Sequence, residues 1–145
     1  AHDKFTALEA RQACKLDGTL YWSCPGNHFD GVNPDVDNIL KQTNGILKVS
    51  VDGRYLIAAV FLPSKAKVSG AIVYGNAGAG DEIWILRRIT LLDGTSVDMA
   101  TQSINTEDIT INNADIDNSL YAYWFMTHSL DTNDEIYGAL IVYTL

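Results

Sequence analysis

The sequence predicts an all-β protein, an antiparallel β-sandwich or jelly roll of about eight strands with a short N-terminal helical extension. Two observations lead there. From residue 45 onward, short segments rich in β-branched and aromatic residues follow one another with turn residues between them, as they do in sandwiches and barrels. No self-similarity at a period of roughly 20 to 50 residues is present, which excludes a propeller or solenoid. With 145 residues in all, the chain has about the length of one domain.

In chain order, residues 3–13 (DKFTALEARQA) are the single stretch with helical character. Phe5, Leu8 and Gln12 fall on one side, and Ala, Leu, Glu, Arg and Gln favour the helix. Residues 24–38 (CPGNHFDGVNPDVDN) are rich in Gly, Pro, Asn and Asp and read as a loop. Strands are expected over 45–51, 55–62, 67–74, 82–92, 97–104, 107–111, 119–128 and 135–145. Asp52-Gly53 is a tight-hairpin signal because both positions tolerate positive φ. The Gly-rich run at 75–80 is followed by a strand pattern and by Asp81-Glu82, so it reads as an interstrand loop and not as a phosphate cradle. The expected division is residues 1–27 as an N-terminal extension and 28–145 as the sandwich.

Several strands are apolar on both sides. In 119–128, Tyr121, Tyr123 and Phe125 alternate with Leu120, Ala122, Trp124 and Met126; in 135–145, Tyr137, Ala139, Ile141 and Tyr143 alternate with Ile136, Leu140 and Val142. An antiparallel sheet with one wet face shows cleaner alternation. Either the N-terminal segment or a second copy of the chain is expected to cover the extra apolar side.

A formal net charge of −8 opposes any partner held through its phosphates, so nucleic acid is excluded as a ligand class. Hydrophobic residues make up 47% and charged ones 19%, which suits a folded core, while no apolar run reaches the roughly 20 residues of a membrane helix. Ala1 stands where a start Met would, which suggests processing. Cys14 and Cys24 are the two cysteines, and their number and closeness suit one disulfide in a secreted, extracellular protein. The same two thiols with His28 lack the fourth ligand and short spacing of a structural zinc site.

Leu62-Pro63 is followed by Ala66-Lys67-Val68 and a strand to Tyr74; then come Ile85-Leu86-Arg87-Arg88 and Met99-Ala100. Ile116-Asp117-Asn118 leads into Tyr121-Ala122-Tyr123, and Ile136-Tyr137-Gly138-Ala139 precedes a terminal Val142-Tyr143-Thr144. In this order the segments, over about residues 29–145, resemble a family of uncharacterised bacterial secreted or surface β-sandwich proteins. The resemblance implies an adhesion, coat or appendage domain rather than an enzyme, and no established activity carries over from it. The first 25 or so residues, with both cysteines, depart from the pattern.

Nothing in the sequence assembles a catalytic site: His2, His28 and His128 lie in different regions, and no Ser occupies a Gly-x-Ser-x-Gly elbow. For calcium, Asp35 and Asp37 in one loop and Asp115 and Asp117 in another are candidates, with Asp131, Asp134 and Glu135 in a third, but calcium takes six to eight oxygens and no loop supplies them alone. No other cofactor is expected. Tyr21, Trp22, Trp84, Trp124 and Tyr137 are candidate interface or ligand-binding residues, since aromatic rings anchor interfaces and stack on sugars. Trp84 is expected on a polar side of its strand with Glu82, Arg88 and Thr90, opposite Ile83, Ile85, Ile89 and Leu91. The sequence-based reading is a secreted structural or adhesive subunit, a homo-oligomer or filament that self-associates through the apolar faces of 55–62, 119–128 and 135–145. The alternative is a carbohydrate-binding module using Trp22, Trp84 or Trp124 with or without calcium.

Overall fold

The computed structural model describes residues 18–33, 38–77 and 80–145; the expected helix at 3–13, and with it Cys14, Asp35 and Asp37, lies outside them. Two five-stranded antiparallel sheets form a sandwich. One sheet holds β1 (Leu20–Pro25), β3 (Ile39–Lys41), β4 (Leu47–Val49), β6 (Lys67–Gly75) and β10 (Glu135–Thr144), with β10 in the middle pairing β1, β4 and β6. The other runs β2 (Asp30–Gly31), β5 (Arg54–Val60), β9 (Tyr121–Leu130), β7 (Ile83–Thr90) and β8 (Ser96–Ser103) in spatial order.

Three expectations change. Residues 20–25 were expected in an extension ahead of the domain, yet they pair with β10 from Leu20↔Tyr143 to Pro25↔Gly138 and are an integral edge of the sandwich. Residues 107–111 make only an isolated bridge, Ala71↔Asp108, because the Asp108 carboxylate takes up the Thr101 and Thr110 amides and holds the segment as a loop. Gly53 does adopt positive φ (72°), but the turn hands the chain from one sheet to the other and closes no hairpin between β4 and β5.

The core lies between the sheets. Leu56, Ala58 and Val60 of β5, Tyr123 and Phe125 of β9, and Trp84 and Leu86 of β7 face Leu47, Val49, Val68, Ala71, Val73, Ala139 and Ile141. A bulge between Arg54 and Leu56 takes the Leu56 amide off the ladder, and the fully buried Thr127 hydroxyl accepts its hydrogen bond at 3.2 Å. The two-sided apolar character of β9 has a local explanation. It is an inner strand flanked by β5 and β7, so Trp124 and Met126 on its outer side are half-buried between their lateral neighbours. Tyr55, Ile57 and Phe61 of the β5 edge remain exposed.

Candidate functional site

The aromatic residues singled out in the sequence are scattered by the fold. Trp84 is 0% exposed: it points into the core, its Nε1 donates to the Thr106 carbonyl at 2.9 Å, and its ring meets Phe125 edge-on at 5.8 Å. The expected side of β7 is inverted because one indole ring buries more apolar area than an isoleucine, and here its N–H also finds a partner. Ile85 on the other side is nonetheless buried, beside Met126 and Thr101 in register. Trp22 is half-buried and stacks on Phe125 at 6.3 Å, with His28 edge-on at 6.5 Å. Trp84 therefore offers no ring face as an interface or ligand anchor, while Trp22 remains partly exposed. Trp124 is half-buried on the outer side of the β5–β9–β7 sheet, while Tyr21 and Tyr137 are exposed on the opposite sheet. The five residues form no common site.

Cys24 carries a free thiol in β1, so no bridge is seen at that cysteine, and its expected partner Cys14 lies outside the described residues. Burial pushes the Cys24 thiol up to about 11, against a smaller opposing effect of a hydrogen bond with the Ala139 backbone.

The structure assembles a different site at one end of the sandwich, where the loops after β5, after β7 and before β9 converge. Ser64, Lys65, Asp115, Ile116, Asp117 and Ser119 line a depression of ≈ 560 Å³. Ser119 also borders a second of ≈ 450 Å³ with Leu91, Leu92, Leu120 and Tyr121. Leu91 and Tyr121 continue into a third of ≈ 340 Å³ containing Phe61 and Asn118. The first two share Ser119 and the last two share Leu91 and Tyr121, so the three adjoin in series and are taken together below as the loop-end cleft, aromatic and aliphatic at one end and hydroxyl, amine and carboxylate at the other.

Backbone and side-chain hydrogen bonds fix this cleft. The Leu91 amide donates to the Leu120 carbonyl at 2.9 Å, joining the β7–β8 turn to the segment entering β9. Asn118 Nδ2 donates to the Leu62 carbonyl at 2.7 Å, and the Asp117 amide donates to the Tyr123 hydroxyl at 3.0 Å, tying the rim to the core. Lys65 sits at φ 74°, a left-handed conformation rare for a lysine, held by its amide bond to the Ile116 carbonyl. The Arg88 guanidinium lies 3.8 Å from the Tyr121 ring centre and covers one of its faces. Phe61, 75% exposed, presents its ring to solvent.

Two calcium candidates, Asp115 and Asp117, thus lie in one polar depression. Asp117 is held below the usual carboxylate range by the Ser119 hydroxyl and then the Ser119 amide, both bonded to its Oδ1. That engagement is with protein donors at one oxygen, Oδ1, and it shapes the loop. A separate acidic group, Asp81, Glu82 and Asp131, brings carboxylate oxygens within 4.8 Å of one another at the other end of β7. The Glu82 backbone amide lowers its carboxyl, but desolvation and the charges of Asp134, Asp81 and Asp131 outweigh it, and the net shift is upward. Such a group could hold a metal ion, but exposed acidic groups are common without one, and no further oxygen donor is placed there.

Neither described imidazole is hydrogen-bonded to a carboxylate. His28 Nε2 is 3.0 Å from the Ala59 carbonyl, and His128 Nδ1 is 2.7 Å from the Ser129 hydroxyl on the outer side of β9, with the Tyr55 ring 4.5 Å away.

No family model and no curated protein matches the chain. Among solved structures, the chain is similar to the C-terminal CBM6 of LamC, a marine laminarinase from Zobellia galactanivorans, at 13% identity and a TM-score of 0.49, over 84% of this chain and 98% of that one. It is also similar to a family two carbohydrate esterase from Cellvibrio japonicus at 6% identity and a TM-score of 0.40, over 88% of this chain and 34% of the esterase. Neither likeness transfers a site residue.

Sequence reading missed Phe61, Leu91, Asn118 and Tyr121 as neighbours. The available signal was an aromatic at a strand end beside Pro63 and the pair Leu91-Leu92 ahead of the Asp93-Gly94 turn, where large apolar side chains are out of place without a purpose.

Proposed function

We propose that the chain is a non-catalytic carbohydrate-binding domain acting outside the cell, with its ligand in the loop-end cleft. The observation that carries this is the continuity of an aromatic and aliphatic floor, Phe61, Leu91 and Tyr121, with a rim of Ser64, Asp117, Asn118 and Ser119. A pyranose ring has an apolar C–H face and an edge of hydroxyls, so it needs both surfaces side by side. Rings receive the face, and amide, hydroxyl and carboxylate groups receive the edge. Hydrogen bonds that already fix the rim reduce the ordering cost of binding.

Self-association through strand faces is less well supported. The exposed strip on the β5–β9–β7 sheet from Tyr55 to Phe61 is about 20 Å long and three strands wide, a plan area of about 300 Å². A standard interface takes roughly 800 Å² per partner. The apolar side chains on the two sheets, Tyr55, Ile57 and Phe61 on one and Tyr21, Tyr74 and Tyr137 on the other, face opposite directions, so within one copy neither patch enlarges the other.

Affinity electrophoresis and calorimetry against a panel of soluble polysaccharides, with and without calcium, test the reading. Retention by at least one of them, lost on mutation of the cleft, is expected. Failure of the folded protein to bind any of them under either condition overturns it, and light scattering showing stable higher species at 15.9 kDa per subunit returns the argument to assembly.

A further inference from the structure

β1 pairs β10 along one side, from Leu20↔Tyr143 to Pro25↔Gly138, and among the described residues no strand pairs its other side. The backbone hydrogen bonds made outside the ladders do not reach Leu20–Pro25 either. A six-residue edge with open N–H and C=O groups is a template for a further strand.

The side chains of β1 show where water enters. Leu20, Trp22 and Cys24 alternate with the exposed Tyr21, Ser23 and Pro25, and Trp22 and Cys24 pack against the core. Their register partners on β10, Ile141 and Ala139, are 0% and 3% exposed, yet Trp22 and Cys24 stay only half-buried. The inward side of β1 is therefore open from the edge, and one more strand there would close it.

We propose that the occupant of this edge is the chain's own segment 14–17, returning along β1 as an antiparallel strand with Cys14 opposite Cys24. These residues lie outside the described ones, and three observations select them. The described chain starts at Gly18, two residues ahead of β1, so the segment is attached at the edge it would fill. Leu20 and Cys24 are about 13 Å apart at strand rise, whereas the six residues 14–19 reach up to about 20 Å, enough for a short turn and the return. Asp17-Gly18-Thr19 supplies turn-forming residues where the chain must reverse. The third observation is the side pattern. With Cys14 opposite Cys24, Leu16 falls opposite Trp22 and joins the inward side, while Lys15 and Asp17 fall opposite the exposed Ser23 and Tyr21. A shift of one residue would turn Asp17 inward beside Leu20 and Leu16 outward beside Tyr21. A tethered strand meets the edge at an effective concentration in the millimolar range, against which a second copy at micromolar concentration does not compete. The docking is independent of the ligand read for the loop-end cleft.

Two measurements on the whole chain test it. Hydrogen exchange of the reduced protein, followed by NMR, reads the alternate β1 amides that point away from β10. They are expected to be protected, and Leu16→Asp, which places a charge beside Trp22, is expected to speed their exchange roughly tenfold or more while the β9 amides keep their rates. Cross-linking reads the register. Under glutathione disulfide, the Cys14 and Cys24 thiols give up two electrons and two protons to the reagent, forming one S–S bond and two glutathione thiols. The double variant Cys14→Ser and Lys15→Cys moves the first thiol to the other side of the strand and is expected to close the bridge at least about tenfold more slowly. Unprotected outward amides in the native protein, exchange unaltered by Leu16→Asp, or equal bridging rates in the two proteins overturn the docking. Protection that disappears on dilution, as light scattering shows dimers giving way to monomers, assigns the edge to a second copy and overturns it as well.

Discussion

Replacing Trp84 by Phe tests which side of β7 faces the core, the point on which sequence pattern and structure differ most. The indole is fully buried against Phe125, and its Nε1 bonds the Thr106 carbonyl at 2.9 Å. Trp84→Phe removes part of a close-packed ring, which costs about 1–2 kcal/mol including the void left behind. It also strands the carbonyl, at about 1 kcal/mol. The sum is about 2–3 kcal/mol. For 145 residues the unfolding entropy near the midpoint is about 0.3 kcal/mol/K, so the midpoint falls by about 7–10 °C. Thermal and urea denaturation followed by circular dichroism measure this, with the half-buried Trp124→Phe as the comparison that loses less. A Trp84→Phe protein within about 0.5 kcal/mol of the native one, as for a surface change, refutes the inward assignment.

Phe61→Ala and Tyr121→Ala are each expected to weaken polysaccharide binding by about 2- to 12-fold, the range of one aromatic contact of about 0.5–1.5 kcal/mol, in calorimetry with the melting curve of Phe61→Ala unchanged. The Thr132 amide and then its hydroxyl hold the Asp52 carboxyl below its usual value of 3.8. Its stabilisation is therefore present above pH 3.8 and lost as pH falls through the lower native value, so Asp52→Asn is expected to flatten the acid limb of a stability–pH curve. Glu82 has the opposite sign. Its native pKa lies above 4.5, so its favourable contribution is complete below that pH and lost as the group ionises; Glu82→Gln is expected to stabilise at pH 7 and to have no such effect at pH 3. With its thiol at about 11 against an ordinary 9.0, Cys24 is expected to react with iodoacetamide at pH 8 more slowly in the folded chain than in urea, with the native rate rising towards pH 11.

The all-β class and seven of the strands could be read from local pattern, because strand preference and turn chemistry act over a few residues. β6, β7, β9 and β10 carry long runs of Val, Ile, Tyr and Phe between Gly, Asn and Asp. Short edge strands were not legible. β2 and β3 have two and three residues each, and β1 contains Cys24-Pro25, so they exist by virtue of the partner they pair with. Which side of a two-faced strand turns inward was also undetermined, as Trp84 shows, because alternation assigns residues to sides without saying which side meets the other sheet.

The candidate site divides in the same way. Composition alone argues against a partner held through its phosphates and points to aromatic rings as the chemistry to follow, since net charge and residue content do not depend on the fold. Bringing Phe61, Leu91, Asn118 and Tyr121 to one cleft required three loops to converge. Those proximities join residues up to about sixty positions apart, and only the pairing of the sheets specifies them.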